Sequence, residues 1–261
     1  MKQTTAEIIS NDGVAAGYFR IVFRAPEIAA IAEPGQFVHI RIPGIEPTAL
    51  RRPISICDVD GENVVLLYKT VGRGTMSLSK EKPGVMADIL GPLGNCFRTG
   101  GTGVPLLVGG GFGVAPLLFL ARRMGDRKGV LFTGGRTAGD VLLADEFAEL
   151  GWKTCLATND GTLGIKGFVT DAMDAWRKEN PDVKCEMFAC GPDGMLRAVG
   201  DRASAWDCKA WLSLDKRMVC GVGACLACVQ NLRRKDGSIM TVRVCKEGPV
   251  FESRAIVWGQ P

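Results

Sequence analysis

The 261-residue sequence predicts a multidomain α+β chain: an N-terminal antiparallel β-domain, a central parallel α/β domain and a small cysteine-rich C-terminal segment. Three observations carry this. Residues 1–98 hold short β-type runs broken by Pro/Gly pairs, residues 99–212 alternate strand-like and helical runs, and residues 213–261 lose that periodicity and concentrate four cysteines.

In the first part the β-type runs are 18–23, 37–42, 54–58 and 64–70, punctuated by Pro34-Gly35, Pro43-Gly44 and Pro83-Gly84. Many short strands separated by residues that break a ladder suit a barrel or a sandwich. A glycine-rich hinge at 99–103 opens the second part. There 105–108, 129–132, 153–157 and 185–189 read as strands, and 115–124, 142–150, 169–176 and 194–202 as helices. Strand–helix alternation brings each strand back beside the last in the same direction, which makes a parallel sheet. After Leu214 a hairpin is expected from 227–232 and 240–244 around the turn residues Lys235, Asp236, Gly237 and Ser238.

Composition excludes several function classes. The net charge of +4 comes from 32 basic and 28 acidic residues spread along the chain, so a basic face for nucleic acid or a membrane surface has no support. The most apolar stretch, 104–120, is interrupted by four glycines and by proline, and residues 1–10 lack an apolar core. Neither a membrane span nor a signal peptide is read. Ten cysteines in a chain of this size, four of them in a ligand pattern, point to a reducing cytoplasm. The other six, Cys57, Cys96, Cys155, Cys185, Cys190 and Cys208, are expected to be small core hydrophobes.

Cys220, Cys225, Cys228 and Cys245 form C-x4-C-x2-C with a fourth cysteine after sixteen intervening residues, the plant-type ligand spacing of a [2Fe–2S] cluster. Three thiolates from one short loop must curl around an inorganic core, and Gly221, Gly223, Ala224 and Ala227 permit that approach. The rival is zinc, which usually draws its cysteines from two short knuckles rather than a triplet and a distant single.

A second pattern is Gly109-Gly110-Gly111-Phe112-Gly113-Val114-Ala115-Pro116, an apolar strand running through glycines into a helix. Such a turn lets backbone N–H groups and the helix dipole meet a pyrophosphate; it also occurs as a plain strand–helix turn. A third pairs Arg52-Pro53-Ile54-Ser55 at a strand start with Gly72-Arg73-Gly74-Thr75 at a helix start. Together they offer charge and N–H donors to a diphosphate, and Ser55 to a flavin edge, although ordinary turn chemistry explains either alone. The single histidine, His39, lies in a strand-like alternation and reads as a satisfied strand residue, so no catalytic residue is assigned.

The succession R-P-I-S, G-R-G-T, G-G-G-F-G-V-A-P-L and Cys190-Gly191-Pro192 resembles the ferredoxin–NADP reductase superfamily across the chain. The C-terminal cysteine pattern narrows the likeness to the electron-transfer subunits of NAD-dependent dihydroorotate dehydrogenase B, a group with which Ile54, where many reductases have tyrosine, also agrees. The resemblance implies an N-terminal β-barrel binding FAD through Arg52, Pro53, Ile54, Ser55, Gly74 and Thr75, with Leu67, Tyr68 and Lys69 on the preceding strand. It places NAD(H) near Gly111, Gly113, Cys190 and Gly191, and the cluster on the four cysteines. It implies an FMN-containing catalytic partner in a two-plus-two heterotetramer, with electrons passing from dihydroorotate through FMN, cluster and FAD to NAD+ in orotate formation for pyrimidine synthesis. Ferredoxin:NADP reductases and sulfide dehydrogenases of similar three-part build are the alternative; they often carry aspartate at one cluster position, and here all four are cysteine. Arg136 without a nearby acid for a ribose hydroxyl leaves NADH against NADPH open, and a zinc-stapled interaction module is the non-enzymatic alternative.

Overall fold

The structure is a computed structural model and describes residues 1–44 and 50–259. The parts of the expected N- and C-terminal domains at 45–49 and 260–261 lie outside the described residues.

The N-terminal part is built from β1 (Lys2–Ala15), β2 (Tyr18–Arg24), α1 (Pro26–Ala29), β3 (Phe37–Arg41), β4 (Arg52–Asp60), β5 (Asn63–Lys69), α2 (Arg73–Leu78) and β6 (Met86–Leu93). Its six strands close into a barrel in the order β1-β2-β5-β4-β3-β6. Alternation along each strand turns Ile8, Ile21, Phe23, Val38, Ile40, Ile56, Leu66 and Ile89 inward, all nearly inaccessible. Burial of side chains of this size stabilises by about 1.5–3 kcal/mol each. Two of these strands escaped the sequence reading. β1 is mostly polar, with only Ala6 and Ile8 buried, and β6 contains Gly91 and Pro92, residue types that interrupt a strand pattern. β1 closes the barrel because irregularities at Ile8/Ser10 and Gly13/Ala15 let it bend and pair with both β2 and β6.

The next part runs β7 (Val104–Gly110), α3 (Ala115–Arg123), β8 (Val130–Gly135), α4 (Ala144–Glu149), β9 (Lys153–Thr158), β10 (Ile165–Lys166), α5 (Val169–Glu179), β11 (Cys185–Cys190), α6 (Asp193–Ala205) and β12 (Lys209–Ser213). The strands pair parallel in the order β10-β9-β8-β7-β11-β12, with helices over the sheet. β7 and β11 are buried almost throughout, as continuous apolar runs in a covered parallel sheet should be.

The C-terminal segment holds the hairpin β13 (Val229–Arg233) and β14 (Ile239–Arg243), then α7 (Val244–Glu247) and β15 (Val250–Glu252). β15 departs from the purely parallel expectation: it joins β12 as an antiparallel edge of the central sheet. The segment is clasped to the barrel as well. Asn95 donates through Nδ2 to the carbonyls of Glu247 (3.0 Å) and Val250 (2.8 Å), and its Oδ1 accepts from the Val250 N–H at 2.9 Å. Phe37 of β3 and Leu93 of β6 share one apolar cluster with Cys228, Val244, Cys245 and Phe251. The cysteine region is thus packed against both larger parts.

Candidate functional site

A cavity of about 950 Å³ opens where the barrel, the central sheet and the segment before the cysteine loop meet. From the barrel come Arg52, Pro53, Ile54 and Ser55 at the start of β4, Leu67, Tyr68 and Lys69 at the end of β5, and Thr75 of α2. These strand ends converge because β4 and β5 are hydrogen-bonded neighbours.

Gly74 stands behind this wall and does not line it. A Cβ there would lie 2.6 Å from Arg52 Nε, so the glycine is what lets the guanidinium pack across the α2 start. The Thr75 hydroxyl accepts from the N–H groups of Val71 (2.9 Å) and Gly72 (3.3 Å), which fixes the turn entering α2. Two separate sequence patterns therefore form one cationic corner, a cradle suited to a diphosphate.

The opposite wall is made at the C-terminal ends of β7 and β11, where open α/β sheets bind ligands. Gly113, Cys190 and Gly191 line it, while Gly111 sits at its edge, its α-carbon facing the Tyr18 hydroxyl. At Gly113 a Cβ would come within 2.4 Å of the Cys190 carbonyl oxygen, so only glycine lets the turn after β7 lie against the loop after β11. Gly111, at φ +55°, occupies the left-handed region. The Cys190 thiol is pushed up to about 12 by burial and the charge of Asp215, against a hydrogen bond with Ser213. It is a neutral wall residue at physiological pH, and the purely apolar role expected for it is extended by its place in the cavity.

Residues 213–219, which lead into the cysteine loop, form much of the floor. Sequence reading missed them; their position directly before the first cluster cysteine was the available signal. Also unexpected is a polar bridge between barrel and sheet. The Tyr18 hydroxyl donates to Asp140 Oδ1 at 2.5 Å, and Lys69 Nζ donates to the Tyr18 oxygen at 2.7 Å and to Asp140 at 3.2 Å. The Tyr18 hydrogen bond, with help from Lys69 and Arg136, holds the Asp140 carboxyl down to about 2. An acid therefore does lie near Arg136, contrary to the expectation, but its carboxylate is engaged by the barrel.

Beside the cavity, residues 214–228 curl without helix or strand. Gly221 (φ +70°) and Gly223 (φ +81°) make the left-handed bends the curl needs. The four cysteines group in pairs: the Cys225 N–H points at Cys220 Sγ and the Cys245 N–H at Cys228 Sγ, both at 3.4 Å. Burial opposes ionisation of Cys220, yet N–H donors from Cys225, Val222 and Ala224 bring its thiol down to about 6. Among the described residues no three Cys, His, Asp or Glu side chains converge on one ion position. Two thiolates to each of two irons is the arrangement a [2Fe–2S] core takes, so the donor set fits that group better than one tetrahedral zinc.

Of the other cysteines, Cys57 is fully buried and its thiol is raised to about 12, as a core residue should be, whereas Cys96 and Cys155 are half-buried. His39 is fully buried on β3, but among the described residues neither ring nitrogen makes a well-formed hydrogen bond, although the Arg51 and Cys220 backbones approach it, which corrects the expectation of a satisfied residue.

A sequence profile described as the iron-sulfur cluster binding domain of dihydroorotate dehydrogenase B matches residues 215–257, and one described as an oxidoreductase NAD-binding domain matches 107–201. The dihydroorotate dehydrogenase B (NAD(+)) electron transfer subunit of Bacillus cereus (strain Q1) is 41% identical over 98% of this chain and 99% of its own length. Its counterpart from Bacillus mycoides (strain KBAB4) has the same identity and coverage. The solved structure of an NADH-dependent reduced ferredoxin-NADP oxidoreductase superposes with a TM-score of 0.86 at 31% identity, over 98% of this chain and 90% of that one. Phthalate dioxygenase reductase, at 19% identity and a TM-score of 0.62 over 94% of this chain and 77% of that one, shares the fold.

Proposed function

Because the chain belongs to the family of dihydroorotate dehydrogenase B electron transfer subunits, we propose how its own residues carry electrons from a catalytic partner subunit to NAD+. The partner oxidises dihydroorotate to orotate, a step of pyrimidine synthesis, and this chain is the conduit. Its cofactors are FAD, a [2Fe–2S] cluster and NAD(H). When bound, FAD would supply the exchange between single electrons and the hydride of a nicotinamide.

The observation that carries the assignment of residues is that one cavity gathers the patterns of β4, β5, α2, β7 and β11 beside the cysteine loop. Arg52 and Thr75 hold the diphosphate corner, with Gly74 giving Arg52 its place. Pro53, Ile54, Ser55, Leu67, Tyr68 and Lys69 form the wall against the flavin. Gly111, Gly113, Cys190 and Gly191 bring the nicotinamide nucleotide to the opposite wall, where the neutral Cys190 thiol excludes water without competing as a nucleophile. Cys220, Cys225, Cys228 and Cys245 hold the cluster.

The partner is proposed to carry FMN and to assemble with this chain two-plus-two. Leu226 (73% exposed), Val219 and Val222 present apolar surface on the cluster loop for that contact. The reducing cytoplasm is the proposed setting, since thiolate ligands and free cysteines persist there.

The decisive experiment is co-purification of the chain with its partner from native extract, with assays for bound FMN and dihydroorotate-dependent NAD+ reduction. The chain alone should reduce ferricyanide with NADH and leave dihydroorotate untouched; oxidation of dihydroorotate by the pure chain would end the two-subunit reading. The 31% identical ferredoxin-linked structure supports a second reading, a subunit of another flavin and iron–sulfur complex. A flavin-bearing partner inactive on dihydroorotate would favour it.

A further inference from the structure

His39 is the only histidine of the chain and none of its surface is accessible, yet neither ring nitrogen has a hydrogen-bond partner among the described residues. A buried polar group left unpaired costs about 1–3 kcal/mol, so a position that keeps one calls for a cause such as a redox role or a missing ligand. Its surroundings indicate which. His39 and Phe37 point out of the barrel, away from Val38 and Ile40, and Phe37 on that outer face packs with Cys228 and Cys245. The His39 ring lies directly against Gly221 of the cysteine loop: a Cβ on that glycine would be 2.4 Å from Nδ1 and 2.9 Å from Cε1. The glycine thus admits the imidazole next to Cys220, whose backbone also approaches the ring.

The same residue touches the flavin side. His39 pairs across β3–β4 with Pro53, on the strand that begins with Arg52. A single imidazole therefore stands between the strand assigned to FAD and the loop assigned to the cluster; the backbones of Arg51 and Cys220 approach its ring, but neither nitrogen makes a well-formed hydrogen bond among the described residues.

We propose that His39 donates a ring N–H hydrogen bond to the sulfur shell of the [2Fe–2S] cluster on its Cys220 side, raising the cluster's reduction potential. One-electron reduction adds one negative charge to the cluster; the N–H dipole stabilises that charge, and no proton is transferred. Hydrogen bonds to cluster sulfurs are among the levers that set such potentials. Such a bond would keep the cluster reducible by the partner. The proposal rests on the cluster assignment above.

Because the chain has one histidine, growth on histidine 15N-labelled in the ring labels this imidazole alone. In the full chain carrying FAD and its cluster, pulsed EPR of the reduced cluster should show hyperfine coupling to a single 15N. A redox titration of His39→Leu should move the midpoint to lower potential, by up to a tenfold change in the reduced-to-oxidised ratio, ~59 mV for one electron. His39→Gln, which keeps an N–H donor, should recover much of that shift. A normal [2Fe–2S] signal without 15N coupling, or a His39→Leu midpoint equal to wild type, overturns the role of His39 while leaving the cluster assignment standing. Absence of any [2Fe–2S] signal from the purified chain overturns the cluster assignment, and this proposal with it. Should His39→Leu fail to retain its cluster, the labelled wild type decides by itself.

Discussion

The flavin cleft takes its walls from the ends of β4, β5, β7 and β11, whose backbone positions are set by ladders with neighbouring strands. The cluster loop next to it, residues 220–228, has no such ladder and is held by glycine bends and by N–H groups aimed at sulfur. Both are proposed sites for a cofactor, but the first is shaped by the fold and the second would be completed by what it binds. A segment this short buries too little apolar surface to order itself, and thiolate–metal bonds then supply free energy that a core would otherwise provide. The contrast teaches where damage should stay local: loss of a cluster ligand should spare the cleft, and a change in the cleft should spare the cluster.

The largest expected effect tests that independence. Cys228→Ser should weaken iron retention by about 100-fold or more, since removing even an outer hydrogen-bond partner costs 10–100-fold. Flavin content and NADH–ferricyanide activity should persist; their loss together with iron, measured on the same sample, would break the contrast. Next is Gly113→Ala, whose Cβ meets the Cys190 carbonyl, a backbone atom that cannot step aside. Overpacking of this kind costs about 1–3 kcal/mol, so the KM for NADH should rise roughly 10- to 100-fold while FAD and iron contents stay at wild-type levels.

Gly74→Ala should be milder. Its Cβ meets the mobile end of Arg52, so the fold yields cheaply but the guanidinium leaves the diphosphate corner. The expected result is FAD affinity lowered by about tenfold, as for loss of one charge-assisted hydrogen bond, with little change in melting temperature. An unchanged FAD affinity by fluorescence titration would remove Arg52 from that corner.

The smallest effect concerns the seam between barrel and sheet. Asp140 has a folded pKa of about 2, below the ordinary carboxylate value of about 3.9. A depressed carboxylate stabilises the fold above its unfolded pKa, and this contribution is lost as pH falls from about 4 towards 2. Asp140→Asn should cost about 1–3 kcal/mol at pH 7, about 2–4 °C per kcal/mol, and the gap from wild type should narrow below pH 4. Melting curves at pH 7 and pH 3 check the sign; a gap that widens in acid would show that the bridge does not depend on the Asp140 charge.

Much of both sites was legible before any tertiary information. The spacing of Cys220, Cys225 and Cys228 specifies a ligand loop because a short chain has few ways to bring three sulfurs to one core. The glycines at 109–113 announced a strand meeting a helix, and β7 with α3 stands there. What remained hidden lacked a local signature. Asn95 looks like any loop asparagine until it clasps Val250, 155 residues away. Asp140 was not counted as an acid near the nucleotide turn, and its partner Tyr18 is 122 residues distant.

By itself, then, the sequence determined the order of the three parts, the glycine turns between strand and helix and the cysteine spacing proposed to gather a cluster, since all of these depend on residue types a few positions apart. Only the tertiary structure decided that polar β1 and Gly–Pro-bearing β6 close the barrel, that β15 crosses into the central sheet, and that the buried His39 ring faces Gly221. Those outcomes depend on which distant surfaces meet, and local pattern carries no information about a neighbour that only packing of the whole chain brings into contact.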